Sequence, residues 1–184
     1  MSRTIMCSKD SLEKNLSDKI YIVTGTTSGI GLETVTQLAK QSATVICAAR
    51  NIDLSKTIIN NIKEETKNDK ISFLHLDLNS LQSVREFIKQ FNDKFSILDG
   101  LVNNAGVMHT RKQKTVDGFE LQFGVNYLSH FLLTELLIPK LKKSKDSRII
   151  HTSSVMHERT LVDLDDLNYD CLLYTSDAAD EGHC

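Results

Sequence analysis

Cysteine is scarce in this sequence and unpaired in pattern. Cys7, Cys47, Cys171 and Cys184 form no Cys-x-x-Cys. Cys47 lies inside an apolar, strand-like run, so reduced thiols in a cytosol-like, cytoplasmic compartment are expected rather than a disulfide framework or a thiolate metal site. Proline occurs once and glycine 8 times in 184 residues, and with no low-complexity tract or internal repeat there is no visible interdomain linker. The opening segment, residues 1–18, mixes charged and hydroxyl side chains and lacks the apolar run of a signal peptide or membrane anchor. It is expected to be a solvated lead-in, and no membrane segment is read elsewhere. Charge of one sign is lacking too: the formal net charge is -2, and without a basic stripe no nucleic-acid partner is implied. What remains, 40% hydrophobic and 25% charged residues, fits one soluble globular domain.

The most informative stretch that is present is residues 21–31, Tyr-Ile-Val-Thr-Gly-Thr-Thr-Ser-Gly-Ile-Gly. Ile20, Ile22 and Val23 have the β-branched character of a buried strand, and residues 33–40 repeat apolar side chains at helical spacing. A strand, a turn and a helix are therefore expected. Gly25, Gly29 and Gly31 lack a Cβ, which allows a sharp turn, close approach of an anion and tight packing of helix on strand. The helix N-terminus then directs free N–H groups at the turn, where a phosphate or pyrophosphate would sit.

The alternation continues down the chain. Residues 43–49 read as a second strand. Residues 52–67 read as an amphipathic helix with Leu54, Ile58, Ile59 and Ile62 on its apolar face. Residues 71–76 form a third strand ending at Asp77-Leu78. A helix follows over 80–95, with Ser80 as N-cap and Leu81, Val84, Phe87, Ile88 and Phe91 as its buried stripe. Residues 97–102 form a fourth strand, broken by Asn103-Asn104-Ala105-Gly106, whose amides can tie neighbouring backbones together while the small residues leave room for a ligand. A polar loop over 109–118 leads to one long helix over 119–141, carrying Asn126 and Ser129 in apolar surroundings. Residues 148–152 form a fifth strand with Ser153-Ser154 at its end. Five alternating strands predict an α/β, doubly wound parallel sheet, whose ligands bind beyond the carboxyl ends of the strands. The glycine turn, Arg50, Asp77, Asn104 and Ser154 all fall at such ends. At the end of the second strand an acidic residue would accept from a free ribose 2′-hydroxyl, whereas an arginine accommodates a 2′-phosphate. Ala49 and Arg50 stand there, so NADP(H) is expected over NAD(H).

The elements Thr24-Gly25-Thr26-Thr27-Ser28-Gly29-Ile30-Gly31, Asp77-Leu78, Asn103-Asn104-Ala105-Gly106, Asn126-Tyr127-Leu128 and Ser153-Ser154 resemble, in order and interval, those of the short-chain dehydrogenase/reductases. The resemblance covers residues 19–170, and stretches 76–81 and 126–134 look like the retinol-dehydrogenase-like branch. It implies a Rossmann domain in which Gly25, Thr27, Ser28, Gly29, Ile30, Gly31, Arg50, Asp77, Leu78, Asn104, Ala105 and Gly106 hold the nucleotide. It also implies that Ser154 polarises a substrate carbonyl and that Asn126 supports a proton relay. The implied activity is hydride transfer between NADP(H) and a lipophilic alcohol or carbonyl, retinoid- or isoprenoid-like. Dimerisation of the complete protein through the helix at 119–141 and a following helix, and association with a membrane through an anchor, are further properties of such relatives.

The pattern breaks after the fifth strand. The family's Tyr-x-x-x-Lys, which places both side chains on one helix face, is absent: four residues beyond Tyr21, Tyr127, Tyr169 and Tyr174 stand Gly25, Phe131, Leu173 and Ala178. Residues 171–181, Cys-Leu-Leu-Tyr-Thr-Ser-Asp-Ala-Ala-Asp-Glu, resemble a translated sequencing adapter, so 171–184 are expected to be a non-native tail and 19–170 an incomplete domain. A sheet ending at its fifth strand is expected to expose an apolar edge, to fold poorly and to lack reductase activity. The competing expectation is a nucleotide-binding regulator without catalysis.

Overall fold

The computed structural model describes residues 8–108, 113–154 and 166–167. The expected non-native tail lies outside the described residues.

Strands β1 (Ile20–Thr24), β2 (Thr44–Ala49), β3 (Ile71–His75), β4 (Gly100–Asn103) and β5 (Arg148–His151) form one sheet in the order β3-β2-β1-β4-β5. Every pairing is parallel, with Val23 opposite Cys47 on one side and Val102 on the other. The doubly wound parallel sheet expected from the alternation is therefore present. Chain order runs outward in both directions from β1, so the crevice between the carboxyl ends of β1 and β4 is the topological switch point, where such sheets bind ligands.

Two apolar layers cover the sheet. Helices α2 (Gly29–Lys40) and α3 (Ile52–Thr66) pack on one face over Val23, Val35, Val45, Ile59 and Ile62. On the other face, α4 (Leu81–Lys94) and α5 (Ser129–Leu141) bury Phe87, Phe91, Leu133 and Leu137 against Ile22, Ile46 and Leu101. The central strands are apolar toward both layers, as a parallel sheet covered on both sides requires. Ser80 caps α4 as expected, its hydroxyl accepting from the Ser83 amide, and Asn51 caps α3 by accepting from Leu54. Leu54, expected on the apolar face of α3, is instead exposed on its first turn. Ser55, Ile59 and Ile62 face inward.

Two further departures matter. Residues 8–18 are mostly exposed but not merely solvated: Lys9–Leu12 form one helical turn, α1. Leu16 is buried, and Gln41 holds the segment by donating to the carbonyls of Ser11 and Lys14. The long helix expected over 119–141 is broken in kind. Residues Phe123–Leu128 are π-helical, set between a short α-helical start at 121–122 and α5 from Ser129. The buried Glu120 carboxylate starts this segment by accepting from the amides of Gln122 and Phe123. Gly124 is required inside it, because a Cβ there would collide with the Thr115 methyl. Such π turns are rare, and those that occur are frequently at functional sites.

Candidate functional site

The site grows from the end of β1. Gly25 turns the chain at φ +69°, where an added Cβ would stand 2.7 Å from the Cα of Ala105. Gly29 repeats the left-handed conformation at φ +56° with open space before it, and Ser28 occupies the N-cap position of α2 without a side-chain cap bond. Gly31 is buried beneath: a Cβ there would meet the Gly25 carbonyl and lie 2.6 Å from Nδ2 of Asn104. Gly25 and Gly31 thus let the first turn of α2 sit directly on the end of β1 and on the turn after β4, while Gly29 supplies the left-handed turn between them. The amides and positive dipole end of α2 are left facing the crevice.

That turn after β4 is tied to β1 by one hydroxyl. Thr24 Oγ1, fully buried, accepts from the amides of both Asn104 and Ala105 at 2.9 Å. Asn104 Nδ2 donates to the carbonyl of Thr24 at 3.0 Å, and its Oδ1 lies 3.5 Å from the Thr152 hydroxyl beyond β5. Asn104 therefore links three strand ends, the role anticipated for it. Its neighbour Asn103 donates to Thr134 at 2.9 Å and faces His151 Nδ1 at 3.2 Å.

Two clefts open along these strand ends. The first, of about 380 Å³, is lined by Gly25, Thr27, Arg50, Asn51, Asp77, Leu78, Ala105 and Gly106 among others. The second, of about 860 Å³, is lined by Asn104, Ala105, Gly106, Asn126, Ser154 and others. They share Ala105, Gly106 and Val107, so they are two ends of one groove across the switch point. Of the sequence-derived residues, only Ser28, Gly29, Ile30 and Gly31 line neither end. They form the start of α2 beside the groove, with Ile30 largely exposed and Gly31 buried. Asp77 accepts from the Asn79 amide at 3.0 Å, so one carboxylate oxygen already serves the local turn.

Asn126 sits on the π-helical turn, and its side-chain amide clamps the backbone of Val107 in both directions. Oδ1 accepts from the Val107 amide at 2.8 Å and Nδ2 donates to its carbonyl at 2.9 Å. Ser129, the other polar residue of that apolar stretch, donates to the carbonyl of Leu78 at 2.6 Å. Residues 103–107 are thus gripped by β1 on one side and by the π turn on the other. Sequence reasoning missed Thr24 as the hub and gave no role to His130, which touches both. The signal was present in part: His130 stands four residues after Asn126, one helical turn away in an otherwise apolar run.

Comparison with known proteins decides the family. Residues 19–163 match the model of the short chain dehydrogenase family. The chain belongs to that family. It is 45% identical over 161 residues to retinol dehydrogenase 13 of Homo sapiens, covering 88% of this chain and 49% of that protein. It is 46% identical over 154 residues to polyprenol dehydrogenase of Homo sapiens, covering 82% and 47%. The chain spans about half the length of these curated relatives. Among solved structures, an Escherichia coli CFT073 short chain dehydrogenase complexed with NADPH superposes with a TM-score of 0.71 at 26% identity, covering 92% of this chain and 70% of that one. A Mycobacterium paratuberculosis protein reaches a TM-score of 0.77 at 34% identity, covering 90% and 57%. The curated relatives of this short-chain dehydrogenase chain are named for retinol and for polyprenol.

Proposed function

We propose that the complete protein transfers hydride between NADP(H) and a lipophilic alcohol or carbonyl, retinoid- or isoprenoid-like. The observation that carries this is the single groove that runs from Arg50 past the glycine turn to Asn126 and Ser154. The residues fit a dinucleotide. Gly25, Gly29 and Gly31 leave a cradle that Cβ atoms would strain or fill, and the start of α2 offers amides to a pyrophosphate. When bound, the nicotinamide would supply the hydride. Arg50 would hold the ribose 2′-phosphate, Thr27 and the amides at the start of α2 the pyrophosphate, and Asp77 and Leu78 the adenine end. Ala105 and Gly106 keep the groove floor low, and Ser154 would donate its hydroxyl to the substrate carbonyl. Met108, Tyr127 and Phe131 on the wall of the second cleft are large, exposed apolar groups, which favours a lipophilic substrate.

Exchange of Arg50 for Asp tests the cofactor reading. A charge-assisted contact is worth roughly 1.5–3 kcal/mol, so NADPH preference should fall by about tenfold to a hundredfold. Unchanged discrimination between NADPH and NADH in a fluorescence titration would remove the assignment.

The 184 residues alone hold no Tyr-x-x-x-Lys, and in our reading they do not turn over substrate. Aldehyde-dependent oxidation of NADPH by this chain would refute that. The same absence favours a second reading, a nucleotide-binding regulator without catalysis. Sequencing the transcript past the codon for Asp170 separates the two: a Tyr-x-x-x-Lys helix supports the enzyme, a stop codon the regulator.

A further inference from the structure

The ring of His130 is buried against the wall of the second cleft, and its hydrogen bonds determine its state. Nδ1 lies 3.0 Å from the main-chain carbonyl of Asn126. A carbonyl only accepts, so Nδ1 carries the proton. In a neutral imidazole Nε2 is then an acceptor, and the group 3.0 Å from it is the Thr24 hydroxyl. That hydroxyl already takes the amides of Asn104 and Ala105 on its two lone pairs. Its one proton therefore goes to Nε2, the alternative acceptor, the Val102 carbonyl, being farther at 3.4 Å. Every donor and acceptor in the chain Asn126–His130–Thr24–Asn104/Ala105 is used once.

We infer that His130 is a positioning residue that, as the neutral Nδ1–H tautomer, locks the π turn bearing Asn126 to the Thr24 hub and so to the Asn104–Ala105 wall of the groove. The inference rests on the nucleotide-binding reading above for its link to activity, but not for the hydrogen-bond assignment. A π turn is a poorer backbone arrangement than an α-helix, and here side chains fix it: Asn126 to Val107, Ser129 to Leu78, and His130 back to Asn126 itself. Because the ring grips the main chain of Asn126 rather than its amide, its loss would let the turn drift while leaving the Asn126 side chain chemically intact.

The assignment also implies a pH limit. An imidazolium would present Nε2–H to a hydroxyl whose lone pairs are filled, so one of the Asn104 or Ala105 bonds would have to break. Burial pushes His130 below the ordinary histidine range, the hydrogen bond to Asn126 opposes that shift, and His151 lowers it further. Among the described residues, His151 on β5 is the one titratable group acting on the ring from a neighbouring element, and Thr24 on β1 and Asn103 and Asn104 at β4 are neutral.

The test uses the full-length protein with retinaldehyde as carbonyl probe. In His130→Leu, kcat should fall by about tenfold or more, since sub-ångström to ångström misplacement can cost up to about a hundredfold. The Kd for NADPH, measured by fluorescence titration, should move far less. His130→Gln keeps one donor and one acceptor; it should recover most of kcat and lose the acid limb of the wild-type pH profile. Independently, ¹⁵N chemical shifts of the His130 ring at pH 7 should report Nδ1–H with Nε2 unprotonated, a readout that needs neither turnover nor a stable variant. An Nε2–H or doubly protonated ring overturns the inference, as does a leucine variant with wild-type kcat and pH profile. Wild-type protein that binds neither pyridine nucleotide would instead sink the functional reading, with the ring shifts still deciding the hydrogen-bond assignment.

Discussion

Replacing Thr24 by valine changes one hydroxyl for one methyl at nearly constant volume. Thr24 is fully buried, so no water can take the place of its oxygen. The substitution leaves the amides of Asn104 and Ala105, each now bonded at 2.9 Å, without an acceptor, and His130 Nε2 without a donor. An unsatisfied buried amide costs about 1–3 kcal/mol, so the two amides alone predict a loss of about 2–6 kcal/mol. That is a large part of the roughly 5–15 kcal/mol by which folded domains are stable. Thr24→Ser is the control: it keeps the oxygen and loses a methyl, worth about 1 kcal/mol. Urea unfolding of the full-length protein, read as the shift in midpoint at constant slope, separates the two. The valine variant should lose at least twice as much as the serine variant and bind NADPH more weakly. A valine variant as stable as the serine variant would refute the hub.

Gly31→Ala should weaken NADPH binding by more than about tenfold and destabilise the fold by about 1–3 kcal/mol, because its Cβ drives against the Gly25 carbonyl and Asn104; calorimetric titration and urea midpoints check both. At the opposite end of the sheet, burial raises the Asp99 carboxyl, but hydrogen bonds from Ser144, the Ile20 amide and Lys19 outweigh it and leave the group below its ordinary value. The native state therefore binds the proton less tightly than the unfolded chain, and this stabilisation is full above the ordinary carboxylate value and disappears as pH falls through the native one. Asp99→Asn should cost about 1–3 kcal/mol at pH 7, with the gap to wild type closing below about pH 4, as unfolding midpoints across pH will show. Burial pushes the Cys47 thiol up to about 12, so its alkylation by iodoacetamide at pH 8 should proceed at the rate of unfolding, and fast labelling of native protein would contradict its placement.

Much of this architecture is written locally. The β-branched runs at 20–23 and 43–49, the stripe from Val84 to Phe91 and the glycine turn each state their own conformation within a few residues, and their alternation leaves little choice but a parallel sheet. The π turn is not legible in that way. It adds about one residue to the turn within a stretch whose pattern of apolar and polar residues does not register the slip, and one constraint on it, the Thr115 methyl that leaves no room for a Cβ at Gly124, comes from another segment. Leu54 misled because an amphipathic stripe says which residues match, not where the helix begins to touch the sheet. The Thr24–His130 bond joins residues 106 apart, and Gln41 reaches back 30 residues to hold the carbonyl of Ser11. Nothing in the neighbourhood of either partner announces such contacts. The motifs single out Asn104 and Asn126, both of which line the second cleft, but what each grips became visible only in the folded chain.

Titration calorimetry of the full-length protein with NADPH and NADH addresses the core of this account most directly. One saturable site per chain is expected, at least about tenfold tighter for NADPH, and weakened by more than about tenfold in Gly31→Ala. Absence of heat and of any fluorescence change with either nucleotide would contradict it.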